Sequence, residues 1–177
     1  MARRAAGVVI ASAIERSITE TLAGILPAAA FSYEQCLLDL GGPPRRSYRG
    51  VAHELREVLR ETLNYLAPDV EVMAEAGFVL EKGALRPTQR QKALYVLKKR
   101  RLSREELTAP ELAVSLVDEI SAQITRSAYM RGAKDAHTAS SAPEVRQLKM
   151  YIDAVLSELL EVHAQKAQDV THVKERR

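Results

Sequence analysis

Apolar residues recur at helical spacing through most of the chain. Ile10, Ile14, Ile18, Leu22 and Ile25 predict a first helix over 5–26, which Pro27 ends or bends. A second helix is expected over 29–40, stopping at Gly41-Gly42-Pro43-Pro44, the strongest break in the sequence. Over 48–66, Leu55, Val58, Leu59, Thr62, Leu63 and Leu66 form a broad apolar stripe opposite Glu54, Glu57, Glu61, Arg56 and Arg60. Pro68 follows its end. The stretch 69–87 lacks a clear period and reads as loop, because two or three short strands alone seldom make a stable sheet.

A short basic helix over 88–100 turns Ala93, Leu94 and Leu97 inward. Ser103 and Glu106 stand at capping-box spacing in the connector that follows. Pro110, in a favoured first position, opens a long helix over 110–131 whose stripe is Ala113, Val117, Ile120, Ile124 and Ala128. Arg131 continues that stripe, and Gly132 suits a helix C-terminal cap. The last helix is expected after Ser141, with Glu144 completing a capping box and Val145, Leu148, Ile152, Val155, Leu159 and Val162 forming its core face. These patterns predict an all-α fold, a bundle of about six helices. The break sets off residues 1–42, a helical pair that offers an assembly surface, from a main helical domain over 43–163; a charged tail over 164–177 frays.

Composition supports this and limits the chemistry. Aromatic residues make up 5% and Trp is absent, so aliphatic side chains must fill the core, an alphabet that favours helices. The single cysteine, Cys36, excludes an internal disulfide and a cysteine-rich zinc site; its apolar setting reads as a buried small hydrophobe in a reducing compartment. The apolar N-terminal run ends at Glu15 and Arg16, short for an export signal, and no stretch approaches membrane-spanning length. A cytoplasmic location is expected.

The net charge is only +3, yet cations cluster in "PPRRSYR" (43–49), "RPTQRQK" (86–92) and "KKRRLSR" (98–104). Such runs either hold phosphate backbones or form a solvated face. Tyr48 and Tyr95 alone interleave with them, which gives little support to a base-stacking platform. Arg45, Arg46, Arg49, Lys98, Lys99, Arg100, Arg101 and Lys134 are the candidate RNA-binding residues.

The stretch "RGAKDAH" (131–137) carries the candidate chemistry. Arginine offers a planar fork for phosphate oxygens and stabilises charge developing at phosphorus. Histidine moves protons near neutrality. Together Arg131 and His137 suit metal-independent attack of a ribose 2′-hydroxyl on the adjacent phosphate, with Asp135 and Lys134 placed to tune the histidine. The spacing alone is not specific: with 18 Arg and four His a second match occurs, Arg46 seven positions before His53. The other reading is therefore that Arg131 caps a helix end and His137 is a loop residue. His53 is a second accessory candidate. No HExxH, P-loop, GxGxxG or nucleophile-elbow motif occurs, and no paired-acid cluster argues for a two-metal nuclease, so no metal and no cofactor are expected.

Three segments, "SYRGVAHELREVLRETLNYLAPD", "GFVLEKGALRPTQRQKALYVLKKRRLS" and "RSAYMRGAKDAHTASSAPEVRQLKMYIDAVLSELLEV", resemble the predicted nucleases associated with prokaryotic Piwi-type defence genes, in their second group. The resemblance spans about residues 31–163. The C-terminal segment also resembles HEPN domains, helical ribonucleases of toxin and abortive-infection systems. Their signature is Arg, four to six residues, then His, near the start of the last long helix. The resemblance implies catalytic roles for Arg131 and His137, RNA as substrate, a homodimer or higher homo-oligomer, and a defence-system partner protein. HEPN nucleases usually carry a polar residue after the arginine, where this chain has Gly132. The alternative function is a non-catalytic helical module that binds nucleic acid or a defence partner. A DNA-binding regulator ranks third, since no helix-turn-helix stands out.

Overall fold

A computed structural model describes residues 11–100, 108, 112–119, 122 and 141–162, and every regular element among them is helical. The elements are α1 (Ala13–Ile25), α2 (Pro27–Gly41), α3 (Arg49–Leu66), α4 (Asp69–Met73), α5 (Gln89–Lys99), a helical stretch over 112–119 termed α6, and α7 (Ala142–Leu159).

Local chemistry sets most of the boundaries. α1 opens at Ala13, because Ser12 is extended and caps it: the Ser12 hydroxyl accepts from the Glu15 N–H at 3.2 Å and the Glu15 carboxylate accepts from the Ser12 N–H at 2.5 Å; residues 5–10 of the expected helix lie outside the described residues. Leu26 alone separates α1 from α2, which Pro27 begins in the first-turn position that needs no N–H. α2 ends where Gly42 passes close to its last turn; a Cβ there would lie 2.9 Å from the Leu38 carbonyl oxygen. The stretch expected as loop holds one short helix, α4, before the irregular residues 74–88. α5 begins at a second reciprocal box, Thr88 with Gln91, and ends on Lys98 and Lys99, cations suited to a helix C-terminus.

α7 starts where its box predicts. The Ser141 hydroxyl accepts from the Glu144 N–H at 3.5 Å, and Glu144 accepts from the Ser141 N–H at 2.9 Å. Ser141→Ala is expected to cost about 1 kcal/mol, lowering the melting temperature by about 2–4 °C in thermal denaturation followed by circular dichroism.

The helices share one core. Ile18 and Leu22 of α1, Tyr33 and Cys36 of α2, Leu55, Leu59 and Leu63 of α3, and Leu148, Ile152 and Leu156 of α7 belong to a single buried cluster. α3 packs on α2, α5 and α7, and α1 packs on α2 and α7. The core thus runs across the Gly41–Pro44 break. The α3 stripe is buried as its spacing requires, except that Leu66 is only half-buried; Val51 and Ala52 extend it. Buried Thr62 satisfies its hydroxyl by donating to the Val58 carbonyl at 2.8 Å. Cys36 is buried as expected, and burial first, then Glu54 and Asp39, pushes its thiol up to about 12. In α6, Val114 and Val117 face the core. Ile120, Ile124 and Ala128 of the expected stripe lie outside the described residues, as do Ser103 and Glu106.

Candidate functional site

Arg131, Lys134, Asp135 and His137 lie outside the described residues, as does Arg101. The described chain resumes at Ser141, four residues after His137, where the capping box starts α7.

From there α7 forms one wall of a cleft of about 600 Å³, whose other walls are α1 and α2. Arg146, Lys149, Met150, Asp153 and Ser157 line it from α7, at offsets of 3, 4, 7 and 11 residues that lie on one helical face. Ile14 and Glu15 come from α1, and Leu37, Leu40 and Gly41 from α2.

A half-buried charge cluster sits in this cleft. The Lys149 ammonium lies 2.5 Å from both the Glu15 and the Asp153 carboxylates. Tyr33 donates to the other Asp153 oxygen at 2.7 Å, and its ring centroid is 5.8 Å from the ammonium. Burial lifts the Asp153 carboxyl above its usual range, only partly offset by Lys149 and Tyr33. Burial also acts on Glu15, but the Lys149 ammonium and the Ser12 N–H outweigh it and hold that carboxyl low. Lys149 is likewise desolvated, yet its two carboxylates keep its value raised. Tyr33 is raised by burial and then by Asp153. Lys149 is therefore a charge already neutralised by its neighbours.

Arg146 differs. It is exposed, donates to the Leu40 carbonyl at 3.0 Å, and forms no ion pair among the described residues. Farther along the cleft wall, the buried Ser157 hydroxyl has no hydrogen-bond partner among the described residues.

The basic runs divide once their partners are seen. Arg45 pairs with Asp39 at 2.5 Å, while Arg46 and Arg49 extend into solvent with no ion pair among the described residues. Lys92 is buried, donating to Asn64 at 2.6 Å and pairing with Asp69 at 2.5 Å, so it ties α5 to the α3–α4 corner. Lys99 pairs with Glu71 at 3.2 Å over the Tyr95 ring, and Lys98 is exposed. Arg100, expected among the RNA-tracking cations, is committed to α7: it donates to the carbonyls of Glu158 and Leu159 and pairs with Glu161 at 2.9 Å. A guanidinium there adds to the hydrogen bonding of the last carbonyls and complements the negative end of the helix dipole. His53 is exposed on α3, where it helps lower Glu57, although Arg60 is the main cause.

Sequence reasoning missed the cleft. Lys149 and Asp153 stand four apart on α7, a legible pair, but their contacts to Glu15 and Tyr33 cross 134 and 120 residues. Among the described residues no group of His, Cys, Asp or Glu is placed to hold a metal ion, and no helix is long and apolar enough to cross a membrane.

The described residues thus define an all-α bundle with free cations on its surface and a charge-lined cleft along its last helix. A model of the family described as "predicted pPIWI-associating nuclease" matches residues 33–159, and the chain belongs to that family. The match runs from within α2 to the end of α7 and spans the "RGAKDAH" stretch; it carries no group-2 assignment. No curated protein and no solved structure matches the chain.

Proposed function

We propose that this protein is a metal-independent, HEPN-type ribonuclease of a prokaryotic antiviral defence system. One observation carries the reading: an Arg and a His six positions apart, just before the capped start of the last long helix, in a chain of a family described as predicted nucleases. His137 takes the proton from a ribose 2′-hydroxyl. The 2′-oxygen attacks the adjacent phosphorus, and Arg131 stabilises the charge that builds on the phosphate oxygens. The P–O5′ bond breaks, the 5′-oxygen takes a proton from water, and His137 returns its proton to the solvent, so the products are a 2′,3′-cyclic phosphate and a 5′-hydroxyl.

Arg46, Arg49 and Lys98, exposed and unpaired among the described residues, track the RNA backbone in this reading, with Arg101 and Lys134. Arg45 and Lys99 are exposed as well, but each first has to exchange a carboxylate for phosphate. A homodimer, a defence-system partner and a cytoplasmic location complete the proposal.

The test is incubation of the purified protein with single-stranded RNA and EDTA, with end-group analysis of the fragments. Cleavage leaving cyclic phosphates is expected. RNA bound but never cut would instead identify the non-catalytic binding module, and a salt-sensitive shift of duplex DNA alone would identify a DNA-binding regulator.

A further inference from the structure

We infer that the cleft between α1, α2 and α7 holds one nucleotide of single-stranded RNA, with Arg146 on its phosphate; this rests on the ribonuclease reading above. Charge is the first argument. Of the two cations in the cleft, Lys149 is held between two carboxylates, Glu15 and Asp153, a cluster with no positive charge to spare, which leaves Arg146, without an anionic partner among the described residues, as the cleft's one cation open to an anion there. The Leu40 carbonyl takes one of its five N–H donors and fixes the guanidinium at the cleft mouth. A fork held in place with donors to spare suits a phosphate.

Shape is the second argument. The walls beside Arg146 are apolar: Ile14, Leu37, Leu40 and Met150. Ile14 and Met150 stay exposed at the rim, 38% and 59%, so a flat apolar body entering there covers surface that the fold leaves open. A nucleobase has such a body, and the cleft volume of about 600 Å³ accommodates it.

Position is the third. Arg146 stands five residues into α7 from Ser141, about 7.5 Å along the helix axis at about 1.5 Å per residue. His137 precedes Ser141 by four residues, a chain length that reaches at most about 14 Å. The cleft therefore lies within a few nucleotides of the proposed cutting residues.

The experiment measures binding apart from cleavage. His137→Ala protein is titrated with fluorescein-labelled single-stranded RNA over a range of salt, and Arg146→Ala, Arg146→Lys and Met150→Glu are each added in that background. Arg146→Ala is expected to weaken binding roughly tenfold and to reduce the log–log salt slope by about 0.7, one phosphate contact. Arg146→Lys should retain part of the affinity, and Met150→Glu should weaken binding by placing an anion at the base entry. Arg146 and Met150 are exposed, so circular dichroism spectra should be unchanged. Unchanged affinity and slope in Arg146→Ala overturn the inference, even where the unsubstituted protein cleaves RNA. An Arg146 effect with no cleavage by the unsubstituted protein sinks the ribonuclease reading and leaves the nucleotide site standing. No RNA binding at all overturns both. Loss of affinity in Arg146→Ala with none in Met150→Glu reduces the site to a bare phosphate contact and overturns the nucleotide.

Discussion

His137→Ala is expected to lower RNA cleavage by a factor of about 10² to 10⁴, the usual contribution of a positioned general acid or base. Arg131→Ala should lower it by about 10² to 10³, through lost stabilisation of charge at phosphorus. The two act on one transition state, so the double variant should fall well short of the product of the single effects. RNA affinity should change little in His137→Ala, because a neutral imidazole adds little to phosphate binding. Partial recovery of His137→Gly by added imidazole would show that the missing part is the ring. Single-turnover rates measured in EDTA decide the matter: a rate in His137→Ala equal to that of the unsubstituted protein would sink the assignment.

Lys149→Ala has the largest expected effect on stability. Its ammonium is mostly buried between Glu15 and Asp153, with 12% of the side chain exposed. Removing it leaves two carboxylates sharing the cleft without their counter-charge. Breaking such a pair costs about 3 kcal/mol, which corresponds to a fall of about 6–12 °C in melting temperature for a chain of this size. Lys149→Met combined with Asp153→Asn should recover much of the loss, since the methionine keeps the packing and the amide oxygen still accepts from Tyr33.

The effect depends on pH with a definite sign. Glu15 has its value held below the ordinary 4.5, so it contributes stability above that value and loses it as pH falls through the lowered one. Without Lys149, the chief cause of the lowering is gone. The stability gap between parent and Lys149→Ala should therefore narrow as the pH drops below 4.5. Urea denaturation at pH 7 and at pH 3.5 tests this, and an equal gap at both would show that Glu15 and Lys149 are not coupled.

α3 and α7 were legible because their stripes are long and regular. The five residues of the expected core face that fall within α7, Val145 to Leu159, are buried, and so is Val162 just beyond its end. The Ser141–Glu144 box places the helix start, since capping is chemistry among near neighbours. Two further boxes, at Ser12–Glu15 and Thr88–Gln91, were equally local but hidden, the first by an apolar run that continues through it. α4 was missed because five residues carry no period. The pairing of the cations was not legible. "KKRR" reads as one basic run, yet Lys98 faces solvent, Lys99 meets Glu71, and Arg100 caps a helix 58 residues away.

The sequence by itself determined the all-α class, the inward faces of the long helices, the capped start of α7 and the "RGAKDAH" spacing that carries the proposed chemistry. These rest on periodicity and on contacts within a few residues, which one chain spells out in order. Only the tertiary structure decided that Glu15 and Tyr33 close around Lys149, that Arg146 stands at a cleft mouth with no ion pair among the described residues, and that Arg100 and Lys92 are structural cations. Those outcomes depend on which helix faces meet, and core packing chooses the faces largely without regard to the charges carried alongside.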